Sequence, residues 1–225
     1  MANILIIVEG QTEEQFYKHF VQHELRNEDG SYRHYLQVVV MPSKRNVYSR
    51  NHKGGAFSYD VCLDNIRRFL RQASHCDLVL LTLDYYGLHE SFKQNLPSQP
   101  FSLEDKILAI QHRLEDEIGT QHFKFRLQVH EFEAYLFSSP EMVVSHFQEP
   151  AKLQVLQEIL AKFDNNPELI NDNMATAPSK RLAAIFPKFG KTTDGIAIAE
   201  KTGIAQIRQR CAGFDGICQL ISQLP

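Results

Sequence analysis

Residues 3–13 read NILIIVEGQTE, and the reading of this stretch decides the fold. Within residues 3–8, Ile4 to Val8 form an unbroken apolar run rich in β-branched side chains, the pattern of a strand buried on both faces in a parallel sheet. The run stops at Glu9 and Gly10. Thr12, with Gln15 three residues on, predicts a helix opened by a capping box. Phe16, Tyr17, Phe20 and Val21 give that helix an apolar face.

The pattern repeats outward from there. A strand is expected at 35–41, then a polar loop at 42–57, then a helix capped by Ser58 with Cys62, Ile66, Phe69 and Leu70 on one side. A third strand, DLVLLTL at 77–83, is apolar on both faces. Ser102 opens the next helix, with Leu103, Ile107, Ile110, Leu114 and Ile118 at helical spacing. A fourth strand alternates Phe123, Phe125, Leu127 and Val129 with Lys124, Arg126 and Gln128. Strands alternating with helices predict an α/β fold, a largely parallel four-stranded sheet flanked by helices. From the helix start at Ser138, Ser139 and Pro140 onward the pattern is helical, broken at Pro150, Pro167, Pro178 and Pro187. The expected organisation is an α/β domain over 1–139 with a helical C-terminal part, 140–225, packed on it.

Composition narrows the class. A chain of 225 residues with 43% hydrophobic and 23% charged residues can bury a full core without staples. A net charge of −3 excludes a chain-wide polyanion binder, so any nucleic-acid contact must be a local basic patch. Cys62, Cys76, Cys211 and Cys218 form no C-x-x-C pair, which argues against zinc and for buried thiols in a reducing compartment. The apolar run at 4–8 is too short for a signal peptide, and no stretch reaches membrane-spanning length. The expectation is a soluble protein of the cytoplasm.

The acids carry the functional reading. Glu9, Asp84 and Glu131 directly follow the first, third and fourth strands. In a parallel sheet those ends share one edge, where ligands bind. Glu13, on the first helical turn, lies above the same edge, and Glu133 falls on the side of Glu131 if the fourth strand continues. Crowded carboxylates repel unless a positive charge sits among them. Oxygen-only ligands favour magnesium, manganese or calcium over zinc. An acid at a helix start also complements the helix dipole, and Glu14 reads as no more than that. Gly10 and Gly87, close behind two of the acids, allow a sharp turn or close backbone approach.

Taken together, V-E-G-Q-T-E at 8–13, L-D-Y-Y-G at 83–87 and H-E-F-E-A at 130–134 resemble the Toprim-like domain-of-unknown-function family 4276. That family is related to the overcoming-lysogenisation-defect (OLD) nucleases and other bacterial defence proteins. The stretch A-P-S-K-R-L at 177–182 and the region of Lys191 are similar to it as well. The resemblance implies a Toprim fold in which Glu9, Glu13 and Asp84 are magnesium-binding acids. It also implies a neighbouring-gene ATPase as partner. One departure stands out: the Toprim D-x-D pair is absent, because Tyr85 and Tyr86 follow Asp84. Glu131 and Glu133 are the candidates for the missing ligand.

Basic residues complete the picture. Lys44, Arg45, Arg50 and Lys53 share one loop with Tyr48 and His52 and no acid, a composition suited to phosphate contact. Lys180 and Arg181 are further candidates for nucleic-acid contact. Lys191, in a Gly/Thr-rich loop that can fold over the site, is the expected transition-state cation, ahead of Lys180. His130 beside Glu131 reads as an orienting residue. The leading expectation is a magnesium- or manganese-dependent phosphodiesterase acting on DNA or RNA, in phage defence with a partner ATPase. Two alternatives remain open: a non-catalytic metal-binding regulatory subunit of an ATPase complex, and a phosphoacceptor switch at Asp84.

Overall fold

Strand β1 (Asn3–Val8) lies inside the sheet, and residues 4–8 are all buried. This computed structural model describes residues 1–27, 29–42, 57–94, 96, 102–129, 131–170 and 176–224. β1 is flanked by β2 (Tyr35–Val40) and β3 (Leu78–Asp84), and β3 pairs in turn with β4 (Phe123–Gln128). The order is β2-β1-β3-β4 and every pairing is parallel. Ile4 aligns with Leu36 on one side and with Leu78 on the other, and Leu83 aligns with Leu127. All four strands therefore end at one edge, as the apolar runs predicted.

The two-residue period of the strands sorts their side chains onto two cores. Ile4, Ile6 and Val8 of β1, with Leu78 and Leu80 of β3, face a layer that includes Phe16, Phe20, Val143, Leu156, Phe214 and Ile217. Leu5, Ile7, Val79, Leu81 and Leu83 face Cys62, Ile66, Ile110 and Leu114. Each such side chain, fully buried, contributes on the order of 1.5–3 kcal/mol. The second layer is α3 (Tyr59–Gln72) and α4 (Leu103–Ile118). Ser58 caps α3 by accepting from Val61 N, and Ser102 with Asp105 forms a capping box on α4. α4 also closes the outer edge of β4: Glu115 Oε1 accepts from Phe125 N at 2.7 Å and Gln111 Oε1 from Leu127 N at 2.8 Å.

The first layer starts with the helix behind β1, and here the structure departs from the sequence pattern. The helix opens as α1 (Gln11–Gln15), capped by Gly10 with no side-chain cap bond, so Thr12 is not its cap. It widens into a π-helical stretch, Phe16–Val21, and closes as α2 (Gln22–Glu24). The wider turn lets Phe16, Tyr17, Phe20 and Val21 all be buried. At the other end of the sheet β4 stops at Gln128, so Val129 lies outside it, and residues 132–138 form a 3-10 segment instead of more strand.

The C-terminal part is helical, as its proline-punctuated pattern predicted. It comprises α5 (Pro140–Phe147), α6 (Leu153–Ala161), α7 (Pro178–Ile185), α8 (Asp194–Thr202), α9 (Ile204–Arg210) and α10 (Ala212–Ser222). Pro140 and Pro178 sit in first helical turns, where a missing N–H costs nothing. Pro150 and Pro167 open 3-10 turns. Among the described residues no helix is long and apolar enough to cross a membrane.

Candidate functional site

The acids gather where the strands end. Glu9 follows β1 and Asp84 is the last residue of β3. Glu13 lies in the first turn of α1. Its carboxylate folds back over Gly10: a Cβ at that position would meet Glu13 Oε2 at 2.9 Å, so any larger residue there would push the acid away. Glu131 caps the 3-10 segment Phe132–Ser138, and Glu133 lies within it, 1% exposed. A strand continuing past Glu131 would have put Glu133 on the same side as Glu131. The 3-10 turn replaces that strand, yet both carboxylates still reach the same lysine. Glu14 stands apart, paired with Lys18 at 2.6 Å on the helix surface.

Charge repulsion shows that these acids share one neighbourhood. Burial pushes the Asp84 carboxyl well above the usual range, and Glu13, Glu9, Glu131 and Glu133 all add to the push. Glu9 is raised by burial, then by Glu13 and Glu131. Glu13 is raised by burial and by Glu131, against the pull of backbone amides and Lys191. The pair Glu131 and Glu133 divides its protons unequally. Burial and a hydrogen bond to Glu131 raise Glu133 to about 8, whereas hydrogen bonds from Glu133, Lys191 and Ser179 outweigh burial and hold Glu131 low. Adjacent acids in a dry site resist double ionisation, and the cost falls on Glu133, while Lys191 favours the charged form of both.

Lys191 is the described cation inside this cluster. Its Nζ donates to Glu131 Oε2 at 2.6 Å and forms an ion pair with Glu133 Oε1 at 3.1 Å. Both Glu133 oxygens are buried without a hydrogen-bond partner of good geometry. Close packing brings the lysine here. A Cβ at Gly195 would stand 3.0 Å from Phe132 Cε1, so the bare backbone at residue 195 lets the start of α8 lie close to the segment that carries both glutamates.

Two features escaped the sequence reading. Ser179, 4% exposed, hydrogen-bonds Glu131 from the first turn of α7, whereas its exposed neighbour Lys180 was the residue singled out. Its only signal was a small polar residue between Pro178 and two cations. Near Asp84 the hydroxyls of Tyr17 and Thr82 are buried with no well-formed hydrogen bond to another group, and the Asp84 and Glu13 charges help burial raise the Tyr17 phenol. Alternation along β3 could have placed Thr82 on the face of Asp84, but nothing in the sequence predicted the π-turn that brings Tyr17 there. Of the basic candidates, Arg181 Nε donates to Thr176 O at 2.7 Å and its guanidinium lies over the Phe163 ring. Lys44, Arg45, Arg50, Lys53 and His130 lie outside the described residues.

The donor set suits a hard divalent cation: carboxylate oxygens only, buried together and mutually repelling. As they stand, however, no three His, Cys, Asp or Glu side chains among the described residues are arranged to hold a metal ion. The fit is therefore one of chemistry and placement at a common edge, with Lys191 supplying positive charge inside the cluster.

Comparison with known proteins places the chain as follows. The family model described as domain of unknown function DUF4276 matches residues 8–222. No curated protein matches the chain. Among solved structures, the C-terminal region of the Xanthomonas campestris pv. campestris OLD protein aligns over 98% of this chain and 98% of that one, with 12% identity and a TM-score of 0.39.

Proposed function

The chain belongs to the DUF4276 family, a domain of unknown function, and we propose that its strand-end acids form the divalent-metal centre of a Toprim-like phosphodiesterase cleaving DNA or RNA. The observation that carries this reading is Asp84, a strand-end carboxyl pushed far from its ordinary value by burial and by four other acids at once. Such a cluster is costly without a cation and becomes favourable with one. Glu9, Glu13, Asp84, Glu131 and Glu133 would hold the ion, magnesium or manganese by their hardness. When bound, that ion supplies polarisation of a phosphoryl oxygen and of the attacking water.

The chain's own groups supply the rest. Lys191, which donates to Glu131 at this edge, would donate to a non-bridging phosphoryl oxygen as negative charge grows there. Glu133, its carboxyl raised to about 8 by burial and by Glu131, is suited to take a proton from water and pass it on. Lys44, Arg45, Arg50, Lys53 and Lys180 extend the reading to contact with the nucleic-acid backbone. A partner ATPase and a role in bacterial phage defence belong to the same proposal, on the family resemblance.

One observation favours a second reading. Lys191 already places positive charge against Glu131 and Glu133, so the cluster has a counter-ion of its own. A non-catalytic regulatory subunit of an ATPase complex would need no more. A phosphoacceptor role for Asp84 has no observation of its own that favours it over these two readings.

The test is cleavage of single- and double-stranded DNA and RNA by the purified protein, alone and with the neighbouring-gene ATPase. Hydrolysis that requires magnesium or manganese and stops with chelator supports the phosphodiesterase. No cleavage under any of these conditions supports the regulatory reading.

A further inference from the structure

Lys191 reaches the acids from the turn between Phe189 and α8, and side chains fasten that turn from outside the site. Asp194 closes it: Gly190 N donates to Asp194 Oδ2 at 2.7 Å, and Asp194 N donates back to Gly190 O at 2.9 Å. The reciprocal pair fixes residues 190–194 as one loop, with Lys191 at its second position. The other Asp194 oxygen, Oδ1, lies 2.8 Å from Nε2 of His146 on α5. Lys201 Nζ stands 3.3 Å from Nδ1 of the same ring. An ammonium can only donate, so Nδ1 accepts, and the ring proton resides on Nε2, directed at Asp194. The imidazole is packed as well: its ring meets Phe147 edge-on at 4.9 Å, and Phe147 stacks on Phe186 at 4.4 Å.

From this geometry we infer that Asp194 and His146 are positioning residues that hold Lys191 against Glu131 and Glu133. Neither touches the acids. A lysine tether has four flexible carbons, and fixing it costs conformational entropy unless its base is already ordered. Asp194 orders that base, and His146 ties Asp194 to α5, which packs in the same core as β1. The proximity of a single cation to the reacting group then depends on two residues that no strand-end pattern reveals. In its catalytic consequence the inference rests on the phosphodiesterase reading, but the positioning itself can be read without any turnover.

A zero-length carbodiimide coupling of amine to carboxylate, mapped by mass spectrometry, reads direct ion-pair contact in the metal-free, full-length protein. Lys191–Glu131 and the helical pair Lys18–Glu14 are both 2.6 Å contacts, so the second is an internal reference. Asp194→Ala should lower Lys191–Glu131 coupling severalfold relative to Lys18–Glu14, and His146→Ala should lower it in the same direction. If Asp194→Ala melts the protein, His146→Ala, which leaves the turn's own bonds in place, decides. Undiminished Lys191–Glu131 coupling in a folded variant overturns the inference, whether or not the protein cleaves nucleic acid. Where cleavage is measurable, Asp194→Ala should reduce kcat about tenfold or more and cost nothing further in a Lys191→Ala background. An equal loss with and without Lys191 overturns the inference while leaving the phosphodiesterase reading intact.

Discussion

Lys191 Nζ lies 2.6 Å from Glu131 Oε2, across 60 residues of sequence, and this ion pair joins the helical C-terminal part to the edge of the parallel sheet. It sets a cation from one half of the chain among acids from the other. Lys191→Ala should therefore leave divalent-metal binding intact, or strengthen it by removing a competitor. In a cleavage assay it should slow turnover about a hundredfold, the usual cost of one transition-state donor. Steady-state kinetics with a separate metal titration checks both halves.

Glu9 adds to the repulsion on Asp84 and is itself raised by burial, Glu13 and Glu131. Glu9→Gln should raise the metal-free melting temperature, by about 2–4 °C for each kcal/mol of repulsion relieved. The same change should weaken magnesium or manganese binding, because an amide brings no charge to the cation. Thermal melts with and without metal separate the two effects. A variant less stable than wild type in both conditions would place Glu9 in a structural role.

Stability without metal should fall as pH rises. Glu133 moves from 4.5 to about 8 on folding, so between those values the folded state holds a proton that the unfolded state has released. More protons bound in the folded state means stability lost with rising pH, on the order of 1 kcal/mol per pH unit for one such group. The raised carboxyls of Glu9, Glu13 and Asp84 act in the same sense. Glu131, held low, opposes them only as pH falls through its ordinary range, and Lys191, raised, keeps its contribution until more alkaline pH. Denaturant unfolding at several pH values should show the decline, and a divalent cation should flatten it.

Glu168 tests the helical part independently of the site. Its carboxylate, 8% exposed, accepts from Gly213 N at 2.9 Å and Phe214 N at 3.2 Å, capping α10 from a distant 3-10 turn. Glu168→Ala leaves two helix-terminal amides unmet and should cost about 1–3 kcal/mol. Glu168→Gln, which keeps an acceptor, should cost less. Melting temperatures of the two variants read the difference, and neither should alter metal affinity.

Much of the sheet was legible because apolar strand runs and the two-residue period are local properties of the chain. The run at β1 is apolar from Ile4 to Val8 and that at β3 is broken only by Thr82, so their burial and their parallel pairing followed directly. The acids at strand ends were legible through topology, since a parallel sheet places every such end at one edge. What was not legible arose from non-local packing. Thr12 has the chemistry of a cap, yet Gly10 takes the position because the chain turns one residue after Glu9. Tyr17 meets the site through a π-turn selected by core packing, and Glu133 through a 3-10 turn where alternation suggested a strand. Ser179, His146 and Asp194 act across long sequence separations, which no spacing rule reaches.

The central claim is that the strand-end carboxylates form a cation site, and manganese binding followed by calorimetric titration tests it most directly. The account predicts saturable binding by the wild-type protein. It predicts loss of that binding in Asp84→Asn, because Asp84 is the carboxyl on which all four other acids converge. No binding by wild type, or equal affinity in Asp84→Asn, would contradict it.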